Sequence, residues 1–269
     1  MCASCAAWNE DIEPFRVFGN TYYVGTARLS SVLVTSERGH ILLDGGLPQS
    51  AELIDSHIRR LGFRLADVRL IVNSHAHFDH AGGIHALQHA SRATVAASAS
   101  GARALHAGEP TADDPQYDFH GDFPRVPKVR AVHDGETLHA GPLAITARLT
   151  PGHTPGSTTW TWTSCEGSRC LHIVYADSLN AVVAPGFKYS SDPARVAAFR
   201  ASIAAVGALP CDVVVSVHPD FTDVTGKLAR RAAGEADAFV NPQGCREYAD
   251  TNAQALDRQL AAESGAERR

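Results

Sequence analysis

His75-Ala76-His77-Phe78-Asp79-His80 places four metal-capable side chains within six residues, at the spacing H-x-H-x-D-H, and Gly82-Gly83 follows at once. Imidazole nitrogen and carboxylate oxygen are the donor types that hold zinc. Two His at i and i+2, followed by Asp and His at i+4 and i+5, cannot all share one helical face. On a loop leaving a strand end they converge from two sides, His75 and His77 toward one metal, Asp79 and His80 toward a second. A cluster this dense has little reason to arise without metal. Two metals held so close together serve to make hydroxide at neutral pH, so the motif predicts a hydrolase.

Each metal needs further ligands from distant sequence. His153 lies in Thr150-Pro151-Gly152-His153-Thr154-Pro155-Gly156-Ser157, a turn stiffened by prolines and opened by glycines. His218 closes the strand-like run 211–217, just before Pro219. Both stand where a strand stops and a loop begins, which suits a site built on a rigid sheet edge. The other histidines read as surface or hydrogen-bonded residues, with His40 structural.

Upstream, Phe15–Gly25 and Ser30–Thr35 are rich in β-branched and aromatic residues, and His40–Leu43 continues to Asp44-Gly45-Gly46. These read as consecutive strands. Gln49–Leu61 sets Leu53, Ile54, Ile58 and Leu61 on one helical face, ended by Gly62. Val68–Val72 is a short buried strand delivering the His motif, followed by a helix over Gly83–His89. A strand over Ala93–Ala97 and a helix over Ser98–Ala107 come next. Gly108–Pro127, with four prolines, several acids and Gly121, reads as a long irregular loop. Val129–Val132, Leu143–Leu149, Thr158–Thr163 and Leu171–Tyr175 read as strands of a second sheet. A helix over Asp192–Ala208, a strand over Asp212–Val217 and helices over Val224–Ala238 and Arg246–Glu263 complete the chain, with Gly265–Arg269 frayed. Each half runs from strands into helices, an order that two sheets packed face to face with helices outside satisfy. No repeat and no linker-like segment divides the chain, so residues 1–269 read as one domain.

A chain of 269 residues with 44% hydrophobic content can bury a full core. Its net charge of −5, without a polybasic run, argues against a nucleic-acid partner. The apolar stretches are too short to span a bilayer, so no membrane partner is expected, and the expected state is a monomer. The chain opens Met1-Cys2-Ala3-Ser4-Cys5 without an apolar signal region. The cysteines favour an export signal already removed and a periplasmic or secreted protein. Cys165 and Cys170 flank Glu166-Gly167-Ser168-Arg169, a hairpin tip that a disulfide can staple. Cys211 opens a strand and Cys245 precedes a helix, which leaves a long-loop bridge open. Cys2 and Cys5 form C-x-x-C with no second pair at zinc-finger spacing, and their pairing stays open.

Taken together, Leu43-Asp44-Gly45-Gly46, His75–His80 with Gly82-Gly83, Thr150–Gly156, Ala176-Asp177-Ser178-Leu179 and His218 make the chain resemble a metallo-β-lactamase-fold hydrolase over nearly its whole length. The resemblance implies an α/β fold, an αββα sandwich of two mixed sheets with helices on the outer faces. Within that family the chain is similar to the third subclass of class B β-lactamases, on the opening Phe18–Thr26, on Trp160-Thr161-Trp162 and on Ala176–Leu179. The subclass implies a Cys211–Cys245 disulfide and two Zn2+ ions with a bridging hydroxide. His75, His77 and His153 would hold the first zinc, and Asp79, His80 and His218 the second. The first subclass places a Cys on the second zinc, where this chain has Ser178.

The implied activity is opening of the β-lactam ring of penicillins, cephalosporins or carbapenems, and hence antibiotic resistance. Asp79 would also be catalytic, holding the hydroxide in line. Asp44 reads as a brace for the His loop through hydrogen bonds. Ser178, Asn180 and Gln116 read as substrate contacts, with Lys188 behind them. The rival within the superfamily is a thioester or lactone hydrolase, of the hydroxyacylglutathione hydrolase or acyl-homoserine lactonase type. Those enzymes use a metal-bridging Asp at a position near Asp177. A structural role for the metals is disfavoured, because structural zinc sites are closed and thiolate-rich.

Overall fold

The structure, a computed structural model, describes residues 4–117 and 121–266. Cys2 and His120 lie outside them, and with Cys2 the C-x-x-C motif. The first half contains α1 (Cys5–Trp8), β1 (Phe15–Phe18), β2 (Thr21–Tyr23), β3 (Val32–Val34), β4 (His40–Leu43), α2 (Ser50–Arg60), β5 (Val68–Val72), α3 (Phe78–Ala81), α4 (Ile84–Ser91), β6 (Thr94–Ser98), α5 (Ala99–Ala107) and β7 (Val129–Val132). The second contains β8 (Thr137–Ala140), β9 (Leu143–Leu149), β10 (Thr158–Glu166), β11 (Arg169–Ala176), α6 (Pro193–Gly207), β12 (Val213–Ser216), α7 (Val224–Ala232) and α8 (Gly244–Ala266).

Strands β1 to β7 form one sheet in chain order, antiparallel through β4 and parallel from β4 to β7. The other sheet runs β12-β11-β10-β9-β8, with only the β11–β12 pair parallel. Both sheets are therefore mixed. Alternation along single strands sorts the layers, because successive side chains point to opposite faces. Ile41 and Leu43 of β4 meet Trp160, Ile173, Tyr175, Val213 and Val215 between the sheets. Leu42, between them in sequence, packs outward with Ile54, Ile58, Ile84 and Leu87 of α2 and α4. On the far side Val174 and Val214 face Phe199, Ile203, Tyr248 and Leu256 of α6 and α8. Each sheet is buried on both faces, so its central strands read as near-continuous apolar runs.

Several sequence expectations change in detail. Phe15–Gly25 is a hairpin of two strands, turned at Gly19 and Asn20, not one strand. Val129–Val132 does not join the second sheet. It pairs parallel to β6 at the edge of the first, completing a strand–helix–strand crossover that four residues of strand pattern cannot assign. The second sheet instead gains β8, whose alternation was missed because Pro142 and Gly141 follow it closely. Helix α7 stops at Ala232, and Gly234 has a left-handed backbone with φ 104°. Residues 265–266, expected to fray, continue α8. No described helix is long and apolar enough to cross a membrane.

Disulfides join Cys165 to Cys170 across the β10–β11 tip and Cys211 to Cys245, tying the approach to β12 onto the first turn of α8. They close loops of very different length, with sequence separations of 5 and 34. Loop-closure entropy then predicts that replacing Cys211 and Cys245 together by Ala costs about 4 kcal/mol, and the Cys165/Cys170 pair about 2 kcal/mol. Equilibrium denaturant unfolding of the two double variants checks the order, and equal losses would contradict it.

Candidate metal centre

Strands β4, β5, β9, β11 and β12 each end just before a polar residue of interest: Asp44, His75, His153, Asp177 and His218. Asp44 is fully buried and adopts φ 59°, a left-handed conformation that Asp tolerates better than most residues. Its Oδ1 accepts from Ser74 N (2.7 Å) and Asn73 Nδ2 (2.9 Å), and its Oδ2 from Ser74 Oγ (2.6 Å) and Tyr175 OH (2.9 Å). Burial pushes the carboxyl up to about 6, against the lowering effect of those donors. Trp160 Nε1 donates to Asn73 O (3.0 Å), and Thr158 N to Ser74 O (2.8 Å). Residues 73 and 74 are thus gripped from both sheets, and His75 leaves the sandwich in one direction.

Beyond His75 the chain is not the simple loop expected from the motif. His77 is extended, its carbonyl accepts from His80 N and Ala81 N, and Phe78–Ala81 closes one helical turn, α3. That turn carries Asp79 and His80 to a different side from His75 and His77. Close backbone approach seats it: Gly45 N donates to His80 O (2.8 Å) and Gly83 N to Gly46 O (3.2 Å). A Cβ on Gly45 would lie 2.6 Å from Ile84 N, and one on Gly83 would strike Gly45 O, so both positions need glycine. At the His153 turn, Ser98 Oγ caps α5 and donates to Gly156 O (2.7 Å), while Tyr189 OH donates to Gly152 O (3.0 Å). The Phe199 ring occupies the space that a Cβ on Gly152 would need.

Two triads result. His75, His77 and His153 bring ligand atoms within 4.8 Å of one another, and so do Asp79, His80 and His218. All are buried except His218, which is half-buried. The His75 and His80 ring centroids are 4.4 Å apart, so the triads adjoin. The outward nitrogens are held separately. His75 Nδ1 pairs with Asp177 Oδ1 (2.6 Å), His77 Nε2 with both oxygens of Asp114 (3.2 Å each), His153 Nδ1 with Asn180 O (3.1 Å) and His218 Nδ1 with Arg28 O (3.0 Å). A carbonyl only accepts, so Nδ1 of His153 and of His218 carries the proton and Nε2 is left with its lone pair.

Among the described residues, buried His75 Nε2 and both ring nitrogens of His80 have no hydrogen-bond partner. Buried polar atoms are rarely left so. Neutral imidazoles and one carboxylate with such inward nitrogens fit two divalent metal ions of the zinc type. Burial, with neighbouring histidines, holds His75 well below the ordinary imidazole range, and burial likewise lowers His80 and His153 to about 3. All three are neutral at pH 7, the protonation state a metal ligand needs.

The remaining candidates fall out differently. Ser178 is buried, and its Oγ has no hydrogen-bond partner among the described residues. Asn180 is half-buried, its Oδ1 accepting from Val182 N (3.4 Å) while its carbonyl serves His153. Gln116 is buried at 3% exposure and its Nε2 lies 3.3 Å from His153 Nε2. Lys188 is half-buried ahead of the Tyr189–Ser191 turn. Sequence reasoning missed Asp114, the Arg28 carbonyl and Trp8. The Trp8 ring centroid lies 5.9 Å from that of His218 and 6.3 Å from that of Phe78. Backbone carbonyls and a lone Trp carry no motif, and Asp114 was one acid among several in the long loop.

Asp44→Ala strands four donors, and a loss of about 3–5 kcal/mol is expected in urea unfolding. Asp44→Asn keeps an acceptor and tolerates the backbone, and about 1–2 kcal/mol is expected. In chelator-treated protein the depressed His80 makes a pH signature. The unfolded chain takes up a proton near its ordinary pKa of 6.5 and the folded chain only near 3, so His80 costs stability as pH falls between them. The stability of wild type relative to His80→Gln should fall from pH 7 to pH 4, and a pH-independent difference would contradict this.

Known proteins match this geometry. The Metallo-beta-lactamase superfamily model matches residues 25–165. The chain is 52% identical to the Rm3 metallo-beta-lactamase, with a TM-score of 0.96 over 98% of this chain and 99% of that one. It is 51% identical to MEM-A1, a subclass B3 metallo-beta-lactamase isolated from a soil metagenome library, with a TM-score of 0.93 over 96% and 99% of the two chains. An N-acyl homoserine lactonase of Bacillus sp is 28% identical over 152 residues, and the match spans 46% of this chain and 54% of the lactonase. The matched span holds Asp44, the whole His75–His80 motif and His153, and the solved relatives extend the likeness through His218, so the chain belongs to the metallo-beta-lactamase superfamily.

Proposed function

We propose that the protein is a zinc-dependent hydrolase that opens the β-lactam ring of penicillins, cephalosporins or carbapenems. Two adjoining three-ligand sets of neutral imidazoles and one carboxylate carry the reading, because three protein ligands per metal leave positions for water and substrate. The substrate class rests on likeness to β-lactamases along nearly the whole chain. When bound, two zinc ions supply Lewis acidity toward the lactam carbonyl and lower the pKa of water enough to give hydroxide at neutral pH.

The chain's own residues then have distinct tasks. His75, His77 and His153 would hold the first ion, with Nε2 of His75 and His153 and Nδ1 of His77 as the nitrogens not engaged by the outward partners, and Asp79, His80 and His218 would hold the second. Asp177, Asp114 and the carbonyls of Asn180 and Arg28 keep four of the imidazoles in the required tautomers. Asp79 would accept a hydrogen bond from the attacking water and so orient it toward the carbonyl carbon. Asp44 braces the His loop. Ser178, Asn180 and Gln116 are the polar groups assigned to the substrate's carboxylate and amide. Trp8 and Phe221, whose rings flank His218, offer an apolar wall. All six ligands come from one chain, so the site needs no partner subunit, and a monomeric, single-domain enzyme is the form proposed. The disulfides support an oxidising compartment, the periplasm or the outside of the cell.

The lactone-hydrolase reading rests on Asp177 as a bridging ligand. Asp177 Oδ1 instead faces His75 Nδ1 at 2.6 Å, on the side of the ring away from the triad. Zinc analysis with hydrolysis of nitrocefin, a penicillin, a carbapenem and an N-acyl homoserine lactone separates the two. β-Lactam turnover with two zinc ions, abolished by chelator and restored by zinc, is expected, with no lactone turnover. His153→Ala should cost more than the about 10- to 100-fold typical of losing an outer partner of a ligand. Two zinc ions with lactone but no β-lactam hydrolysis would defeat the proposal.

A further inference from the structure

Two loop segments meet the first triad. Residues 113–117 and 180–184 are joined to each other by Ala184 N donating to Pro115 O (2.8 Å), and Arg195 Nη1 donates to Asp113 O (2.9 Å). The 180–184 segment reaches His153 by the Asn180 carbonyl, and the 113–117 segment reaches His77 by the Asp114 side chain. The Asp114 carboxylate is buried at 5% exposure, and both its oxygens lie 3.2 Å from His77 Nε2. Its Oδ1 also accepts from Gln116 N (2.8 Å), the residue whose amide lies against His153. One carboxylate therefore links two of the three imidazoles of the triad.

His77 is also the odd member of that triad. His75 and His153 are engaged outward at Nδ1, whereas His77 is engaged outward at Nε2. With the ring placed as it is, the single proton of a neutral imidazole can sit on either nitrogen, so which nitrogen keeps its lone pair depends on what receives the outward N–H. We propose that Asp114 is the positioning residue for His77: its carboxylate accepts the Nε2 proton, sets Nδ1 toward the metal, and locks the Gln116 segment to the same ring. The assignment rests on the two-zinc reading above.

The test compares Asp114→Ala and Asp114→Asn with Asp113→Ala, which removes the same charge from the adjacent, exposed position. Competition with a chromophoric chelator resolves the two zinc dissociation constants. In Asp114→Ala one of them should weaken about 10- to 100-fold while the other holds. Asp113→Ala should match wild type, and Asp114→Asn should recover part of the loss, because its amide oxygen still accepts. Should the alanine variant fail to fold, the isosteric Asn variant carries the same comparison at smaller amplitude. Nitrogen-15 NMR of chelator-treated protein gives a readout that a merely structural role would not move. His77 should be protonated at Nε2 in wild type and tautomerically mixed in Asp114→Ala. Unchanged zinc constants in Asp114→Ala, an equal loss in Asp113→Ala, or an Nε2 proton that survives the substitution would overturn the assignment. Wild-type protein that takes up fewer than two zinc ions overturns the two-zinc reading and this assignment with it.

Discussion

An imidazole can turn only one nitrogen toward a metal, and the group that receives the proton on the other decides which. Four of the five histidines in the two triads meet that requirement with a separate acceptor: two carboxylates and two backbone carbonyls, Asp177 and Asn180 from the stretch after β11 and Asp114 and Arg28 from two others. Those acceptors fix the ring orientations through contacts within the chain. The same burial keeps His75, His80 and His153 neutral. A charged imidazole there would have neither solvent nor an open lone pair for a ligand to use.

The sandwich supplies the rigidity that such a site demands. Ligands from strand ends inherit the order of the sheets, and the stretch between β5 and α3 is secured on both sides before it delivers His75. Asp44 performs this from the first sheet, with Tyr175 reaching across from the second. The glycines at 45 and 83 let α3 sit directly on the β4 exit, backbone against backbone. Catalytic groups placed on rigid elements keep their geometry better than groups on mobile loops. Among the described residues of 108–127, the loop adds partners to the histidines but no ligand of either triad.

The strand pattern and the His motif were legible in the sequence because each follows from local chemistry, period-two burial and metal-ligand spacing. The two glycine pairs stood out only as part of the family resemblance, since what requires glycine at 45 and 83 is the backbone of a distant segment. Val129–Val132 was assigned to the wrong sheet because a short apolar run states that it is a strand and not which neighbour it pairs with. Asp79 and His80 were placed on a loop because the turn that carries them is four residues long and draws its support from Gly45 and Gly46, more than thirty positions away.

The sequence by itself determined the donor chemistry: which side chains can hold metal, in what number, and that they spring from strand ends. The motif also divided its own donors between two metals, and the resemblance named His153 and His218 as the third ligands, but those two reach the motif only when both sheets are stacked. The choice of ring nitrogen had to come from tertiary structure: Asp114, Asp177 and the carbonyls of Arg28 and Asn180 make it from positions between 27 and 190 residues distant. Ligand identity is a property of a residue type. Ligand orientation is a property of what the fold puts behind it.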